Sequence, residues 1–220
     1  MSAIPKGCLV VSCQARVDNP LHGPQFMGAM ARAAAEGGAG ALRVNGPEDI
    51  AAAREAGLPI IGINKIFSDH PVYITPSFEA AEAVARAGAD IVALDCTHRP
   101  HPCEAPEVLV RRIREELDRP VFADISTLEE GIAAEAMGAA YVATTLAGHT
   151  GGPVPALPDL ALIEALASRC TVPVVAEGRF NTPELARAAI DAGAHAVVVG
   201  TMITNPREIT RAFAARVSPA

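Results

Sequence analysis

The chain has 220 residues, 50% of them hydrophobic, and a formal net charge of −7, which supplies one large core and points to a single domain over residues 1–220. The acidic balance argues against a broad nucleic-acid-binding surface but leaves room for a local cationic pocket that holds an anion, so the expected partner is a small molecule. Five scattered cysteines (Cys8, Cys13, Cys96, Cys103, Cys170), with no CxxC pair, suit reduced thiols in a cytoplasmic protein. No apolar run approaches the roughly 18 residues of a membrane span, and the opening "MSAIPKGCLVVSCQA" does not look like a secretion signal. Oligomeric state stays open, a homodimer being one arrangement.

In chain order, strands are expected over 9–14 (LVVSCQ), 41–45 (ALRVN), 59–65 (PIIGINK), 90–96 (DIVALDC), 120–125 (PVFADI), 141–146 (YVATTL), 173–177 (PVVAE) and 196–200 (AVVVG). Between them lie segments of helical period, such as 77–87, where Phe78, Ala81, Val84 and Ala85 share a face, and 127–137. Thr127 followed by Glu130 forms a capping box, and Thr182 before Leu185 is a further helix start. A weak repeat runs through "GGAGALRV", "AGADIVALD", "MGAAYVATT" and "AGAHAVVVG": a Gly-Ala corner stands before the second, fourth, sixth and eighth strands. Glycine ends the helix there, and alanine lets it sit close to the sheet.

Eight strands, each followed by a helix, most simply close into a parallel (β/α)8 TIM barrel. An open doubly wound sheet would call for a GxGxxG after the first strand, and "SCQARVDNPLHGP" has none. In a barrel the carboxyl ends of the strands share one face. Those ends read Gln14, Arg43, Lys65, Asp95, Asp124, Thr145, Glu177 and Gly200-Thr201. Nearly every strand therefore delivers a functional group to one point, which is a constellation for binding and proton transfer rather than scattered loop polarity. Gly178, Gly200 and Thr201, after the last two strands, are placed to bind a phosphate through backbone N–H groups, with Arg179 and Arg207 as added charge.

At this level of detail the chain resembles the N-acetylmannosamine-6-phosphate 2-epimerase family. The strings "VSCQA", "PLHGP", "GINK", "YITPSF", "DIVALDCTHRP", "ADISTLEEG", "TTLAGHT", "AEGRFNTPE" and "VVVGTMIT" carry the resemblance along essentially the whole chain. It implies a barrel without metal or cofactor that interconverts N-acetylmannosamine 6-phosphate and N-acetylglucosamine 6-phosphate in sialic-acid breakdown. It also implies that Lys65 and Glu177 are catalytic and that Gln14, Arg43 and Asp124 contact the sugar. Two departures stand out: Ala147 and His149 replace the serine and aromatic residue of "TLSGYT", and His101 stands where the family more often has arginine.

The residues suit that chemistry. Inverting C2 means removing a proton from a carbon made acidic by the C1 carbonyl of the opened sugar and returning one to the other face. Lys65 and Glu177, from the third and seventh strands, come from opposite sides of the ring, and together they titrate as a coupled pair. A lysine ending a barrel strand is also how Schiff-base aldolases hold their nucleophile, and borohydride trapping separates the two. Metal-dependent pentose-phosphate epimerases need a His/Asp ligand set that these strand ends lack. A non-enzymatic binding barrel would have no reason to keep the ionisable set. His98, His101 and Cys103 lie close in sequence, but Pro100 and Pro102 impose an extended path that splays them. His22 and His70 are expected at solvent or in loop packing, and His195 in a structural role.

Overall fold

The computed structural model describes residues 4–151 and 153–217. Among them, eight parallel strands close in sequence order into a barrel: β1 Cys8–Cys13, β2 Ala41–Asn45, β3 Ile60–Ile63, β4 Ile91–Asp95, β5 Val121–Asp124, β6 Tyr141–Ala143, β7 Val174–Glu177 and β8 Ala196–Val199. The ring closes where β8 pairs with β1, Val198 lying opposite Val10. The helices are α1 Pro24–Glu36, α2 Pro47–Ala53, α3 Phe78–Arg86, α4 Pro106–Glu116, α5 Leu128–Met137, α6 Leu160–Arg169, α7 Pro183–Asp191, α8 Thr201–Thr204 and α9 Pro206–Val217.

The repeat has a physical cause. Gly38, Gly88, Gly138 and Gly193 all have φ between 94° and 104°, a conformation that costs a side chain strain and costs glycine little. The next residue of each corner is a buried alanine (Ala39, Ala89, Ala139, Ala194), whose N–H reaches back five residues into the helix, as in Ala139 N–H to Ala134 O at 3.0 Å. The residue after that donates to the preceding strand, as in Ala140 N–H to Val121 O at 2.8 Å. Helix termination and strand entry are thus one local motif used four times.

Side chains alternate across the barrel wall with the period of two that a strand imposes. Val10, Ala41, Ile61, Ile91, Phe122, Tyr141, Val175 and Ala196 point inward and fill the lower barrel. The alternate positions pack outward under the helices, where α3 contributes Ala80, Ala81, Val84 and Ala85. Ile4 is fully buried at the far end, where His195 Nε2 donates to its carbonyl at 2.8 Å. With that end plugged by apolar groups, the polar inward positions further along each strand are left to the open face.

Two expectations about element bounds are corrected. The third strand ends at Ile63, because the Lys65 N–H donates to Asn45 Oδ1 at 2.9 Å and Lys65 pairs antiparallel with Ile74 instead of extending the ladder. The sixth ends at Ala143 and curls into a 3₁₀ turn over Thr144–Leu146. There the Thr144 hydroxyl accepts from Glu177 N–H at 3.0 Å and donates to Glu177 O at 2.9 Å, taking the place of the strand ladder. After β8, the short helix α8 precedes α9.

Candidate active site

The open end of the barrel holds a cavity of about 1010 Å³. Gln14, Arg43, Lys65, Thr145, Glu177, Gly178, Gly200, Thr201 and Arg207 all line it. Arg43 sits in mid-strand, not at the strand end, yet it faces inward two residues above Ala41 and is 1% exposed. Its guanidinium is the hub of the site. Nη1 and Nη2 grip Asp124 Oδ1 and Oδ2 at 2.9 and 2.6 Å, Nη1 lies 3.1 Å from Glu177 Oε2, and the group lies 5.2 Å from the Phe122 ring centroid. The bidentate contact fits the planar fork of arginine, which a lysine could not reproduce.

That hub sets the electrostatics. Burial alone would disfavour charge on Arg43, but Asp124 and then Glu177 outweigh it and hold the guanidinium protonated. Lys65 is pulled down to about 8, first by burial and then by the Arg43 charge, with Glu177 and Asp124 acting the other way. The Glu177 carboxyl is raised, first by burial, with Arg43 opposing and Asp124 adding to the rise. Both shifts favour the neutral form of their group. An amine and a carboxylic acid, from strands four apart in the ring, thus face one cavity in states that can accept and donate a proton near neutral pH.

In the loops after β7 and β8, Gly178 (φ 112°) has nothing within 3.4 Å of where a Cβ would stand, and Gly200 packs closely on Ser12. These two and Thr201 line the cavity. Arg207 reaches the same rim from α9, where its Nη1 and Nη2 donate to Asp18 O and Oδ2, both at 3.1 Å.

A family model described as "Putative N-acetylmannosamine-6-phosphate epimerase" matches residues 27–219. The chain belongs to this family. A relative from Caldanaerobacter subterraneus subsp. tengcongensis, named for the 2-epimerase, is 50% identical over 211 residues, covering 93% of this chain and 89% of its own length. A Clostridium perfringens relative of the same name is 44% identical over 217 residues, covering 97% and 98%. A solved structure of the N-acetylmannosamine-6-phosphate 2-epimerase from Clostridium perfringens superposes with a TM-score of 0.93 at 43% identity, covering 97% of this chain and 95% of that one. The (β/α)8 barrel is thus shared with that solved epimerase.

Two of the expected ligand contacts fall elsewhere in this epimerase-family chain. Asp124 is fully buried beneath Arg43 and does not line the cavity; its oxygens are taken by Arg43 and by Thr145 Oγ1 at 2.6 Å. Arg179, with φ 63° straight after Gly178, is turned out of the cavity. It donates to Ala147 O at 2.6 Å and Leu157 O at 2.7 Å, so it pins the loop after β6 and does not extend toward a phosphate. Asp95 is likewise committed to its own loop, accepting from Thr97 N–H at 2.9 Å and Thr97 Oγ1 at 2.7 Å and pairing with Arg99. His101 donates from Nε2 to Thr97 O at 3.2 Å while Cys103 is exposed, and among the described residues no three His, Cys, Asp or Glu side chains form a metal-holding group.

Several lining residues were not singled out from sequence. Ser12 and Asn45 share the inward face with Gln14 and Arg43, a signal that period-two counting contains. His22 lines the cavity rather than facing only solvent, with Nδ1 3.1 Å from Ala15 O. Arg16, Phe67 and Tyr73 arrive from loops: Phe67 stacks on Tyr73 at 5.1 Å between centroids, and Arg16 lies 5.5 Å from the Phe67 centroid. No periodic pattern marks them. His149 lines the mouth, held below the usual imidazole value by burial and then by Arg179.

Proposed function

We propose that this chain interconverts N-acetylmannosamine 6-phosphate and N-acetylglucosamine 6-phosphate by removing and returning the C2 proton, in the cytoplasm and without a cofactor. The observation that carries the reading is the placement of Lys65 and Glu177 around the buried Arg43 in one cavity. A neutral Lys65 takes the C2 proton on one face of the opened sugar while the Glu177 acid delivers one to the other, and the swapped pair runs the reverse direction. Family membership is what favours this reading over the metal-dependent and Schiff-base alternatives; a lysine lowered to about 8 would serve a Schiff base as well, and the raised Glu177 carboxyl in the same cavity supplies the second group that proton transfer needs. The exposed Phe213 and Val217 of α9 offer a second copy an apolar surface, and a homodimer is part of this reading.

Gly178, Gly200, Thr201 and Arg207 are the proposed phosphate end, in the place where barrels of this kind commonly hold one. Remote binding energy at that end holds the sugar in its reactive pose. Unphosphorylated N-acetylmannosamine should therefore be turned over very poorly. Comparable kcat/KM for the two sugars in a coupled assay would remove the phosphate argument.

The pH profile follows from the shared proton. Active enzyme carries one proton on the Lys65/Glu177 pair. With Glu177 in its acid form that proton sits on the carboxyl and Lys65 must be neutral, so kcat/KM in the direction in which Lys65 is the base should rise with pH and level off above about 8, where an ordinary lysine would keep it rising to above about 10. A profile that falls through pH 8 would show that Lys65 enters the reaction as the ammonium.

A further inference from the structure

We propose that Thr145 is a positioning residue: its single hydroxyl proton goes to Asp124, and its oxygen accepts the proton of Glu177, so that Glu177 is kept in its acid form between turnovers. The proposal rests on the reading of Glu177 as the proton carrier. Thr145 Oγ1 lies 2.6 Å from Asp124 Oδ1 and 3.1 Å from Glu177 Oε2. A hydroxyl owns one proton and two acceptor sites, so it cannot donate to both carboxyl groups.

The distances decide the direction. The short contact has the length of an O–H donating to an ionised carboxylate, and Asp124 is the carboxylate that Arg43 neutralises in bidentate fashion. The longer contact must then be supplied with a proton by Glu177. That is the state burial favours for a carboxyl that receives only a single, longer contact from Arg43, at 3.1 Å. Were Glu177 ionised instead, its oxygen would face the lone pairs of Thr145 at 3.1 Å.

Local structure holds this register. Because β6 breaks into a 3₁₀ turn, two successive threonines meet Glu177: Thr144 clasps its backbone N–H and C=O, and Thr145 meets its carboxyl. A continued strand would have sent one of the pair to the helix side. The charged groups nearest the carboxyl are Arg43 from β2, Lys65 after β3 and Asp124 from β5, while Arg16, Tyr73 and His149 line the same cavity from loops.

The test titrates the ligand-free protein labelled with ¹³C at glutamate carboxyls, the Glu177 signal being assigned by its loss in Glu177→Gln. Thr145→Val removes the acceptor that favours neutral Glu177, so the Glu177 pKa should fall by about one unit, the size of one lost neutral hydrogen bond. Thr145→Ser keeps the hydroxyl and should keep the wild-type value. A rise in Thr145→Val would mean that Thr145 donates to an ionised Glu177, and that result, like an unchanged value, would overturn the proposal. Should Thr145→Val not fold, the infrared spectrum of the wild type at neutral pH decides: a protonated-carboxyl band that vanishes in Glu177→Gln supports the assignment, and its absence contradicts it. Neither readout uses activity. If Glu177→Gln stays active, the catalytic reading fails while the titration result stands on its own.

Discussion

Lys65→Met and Glu177→Gln should each abolish epimerisation while leaving the barrel folded and substrate binding largely intact. The methionine keeps the length of lysine in a half-buried site and removes the amine; the glutamine keeps shape and polarity beside Arg43 and Thr145 and removes the proton carrier. Loss of one general acid–base group typically costs about 10²- to 10⁴-fold in rate, and more when two groups act as a unit. The comparison in D2O is sharper than the rate. Each variant keeps one group, on one face, and so can exchange the C2 proton of only one epimer without inverting it. Residual deuterium should therefore enter N-acetylmannosamine 6-phosphate in one variant and N-acetylglucosamine 6-phosphate in the other. Near wild-type epimerisation by both would send the search for the base elsewhere, to His149 or to the substrate itself, since Asp95 and Asp124 are committed to Arg99, Thr97 and Arg43.

The second large effect is on stability. Arg43 and Asp124 are 1% and 0% exposed, and Asp124→Ala leaves a guanidinium in the barrel without its bidentate carboxylate. Removing one partner of a buried pair costs about 3–5 kcal/mol. For a chain of this size that corresponds to a fall in Tm of roughly 6–20 °C. A surface pair provides the contrast: Arg32 and Glu55 are 49% and 72% exposed at 3.0 Å, and Glu55→Ala should change stability by less than about 1 kcal/mol. Thermal unfolding of both variants checks the difference, and equal small effects would mean that water reaches Arg43 once Asp124 is gone.

The barrel was legible because its signals are local and repeated. Four Gly-Ala corners each end a helix and start a strand, and inward positions recur every second residue, so the pattern alone sorts Arg43, Lys65, Asp124 and Glu177 to one region. What sequence order does not contain is which polar neighbour each side chain chooses. Asp124 and Arg179 both stand where a ligand contact was expected, but Asp124 lies beneath Arg43, and the positive φ at Gly178 and Arg179 swings the arginine onto the Ala147 and Leu157 carbonyls. The sequence pattern ends a strand at Thr145, whereas the contact of Thr144 with the Glu177 backbone, which lies 33 residues away, turns it into the 3₁₀ geometry that brings it to two carboxyl groups. Arg16 and Phe67 come from loops whose paths depend on tertiary contacts.

The measurement that bears most directly on two proton-transfer groups facing opposite sides of C2 is the early time course of the wild-type reaction in D2O. Starting from N-acetylmannosamine 6-phosphate, C2 is followed by proton NMR in both epimers. With one group removing the proton and a solvent-equilibrated partner returning one across the sugar, the first product formed should carry deuterium at C2 while the remaining substrate keeps its protium. Product that retains the substrate's own C2 proton would contradict the assignment, because a single group would then be carrying it from one face to the other.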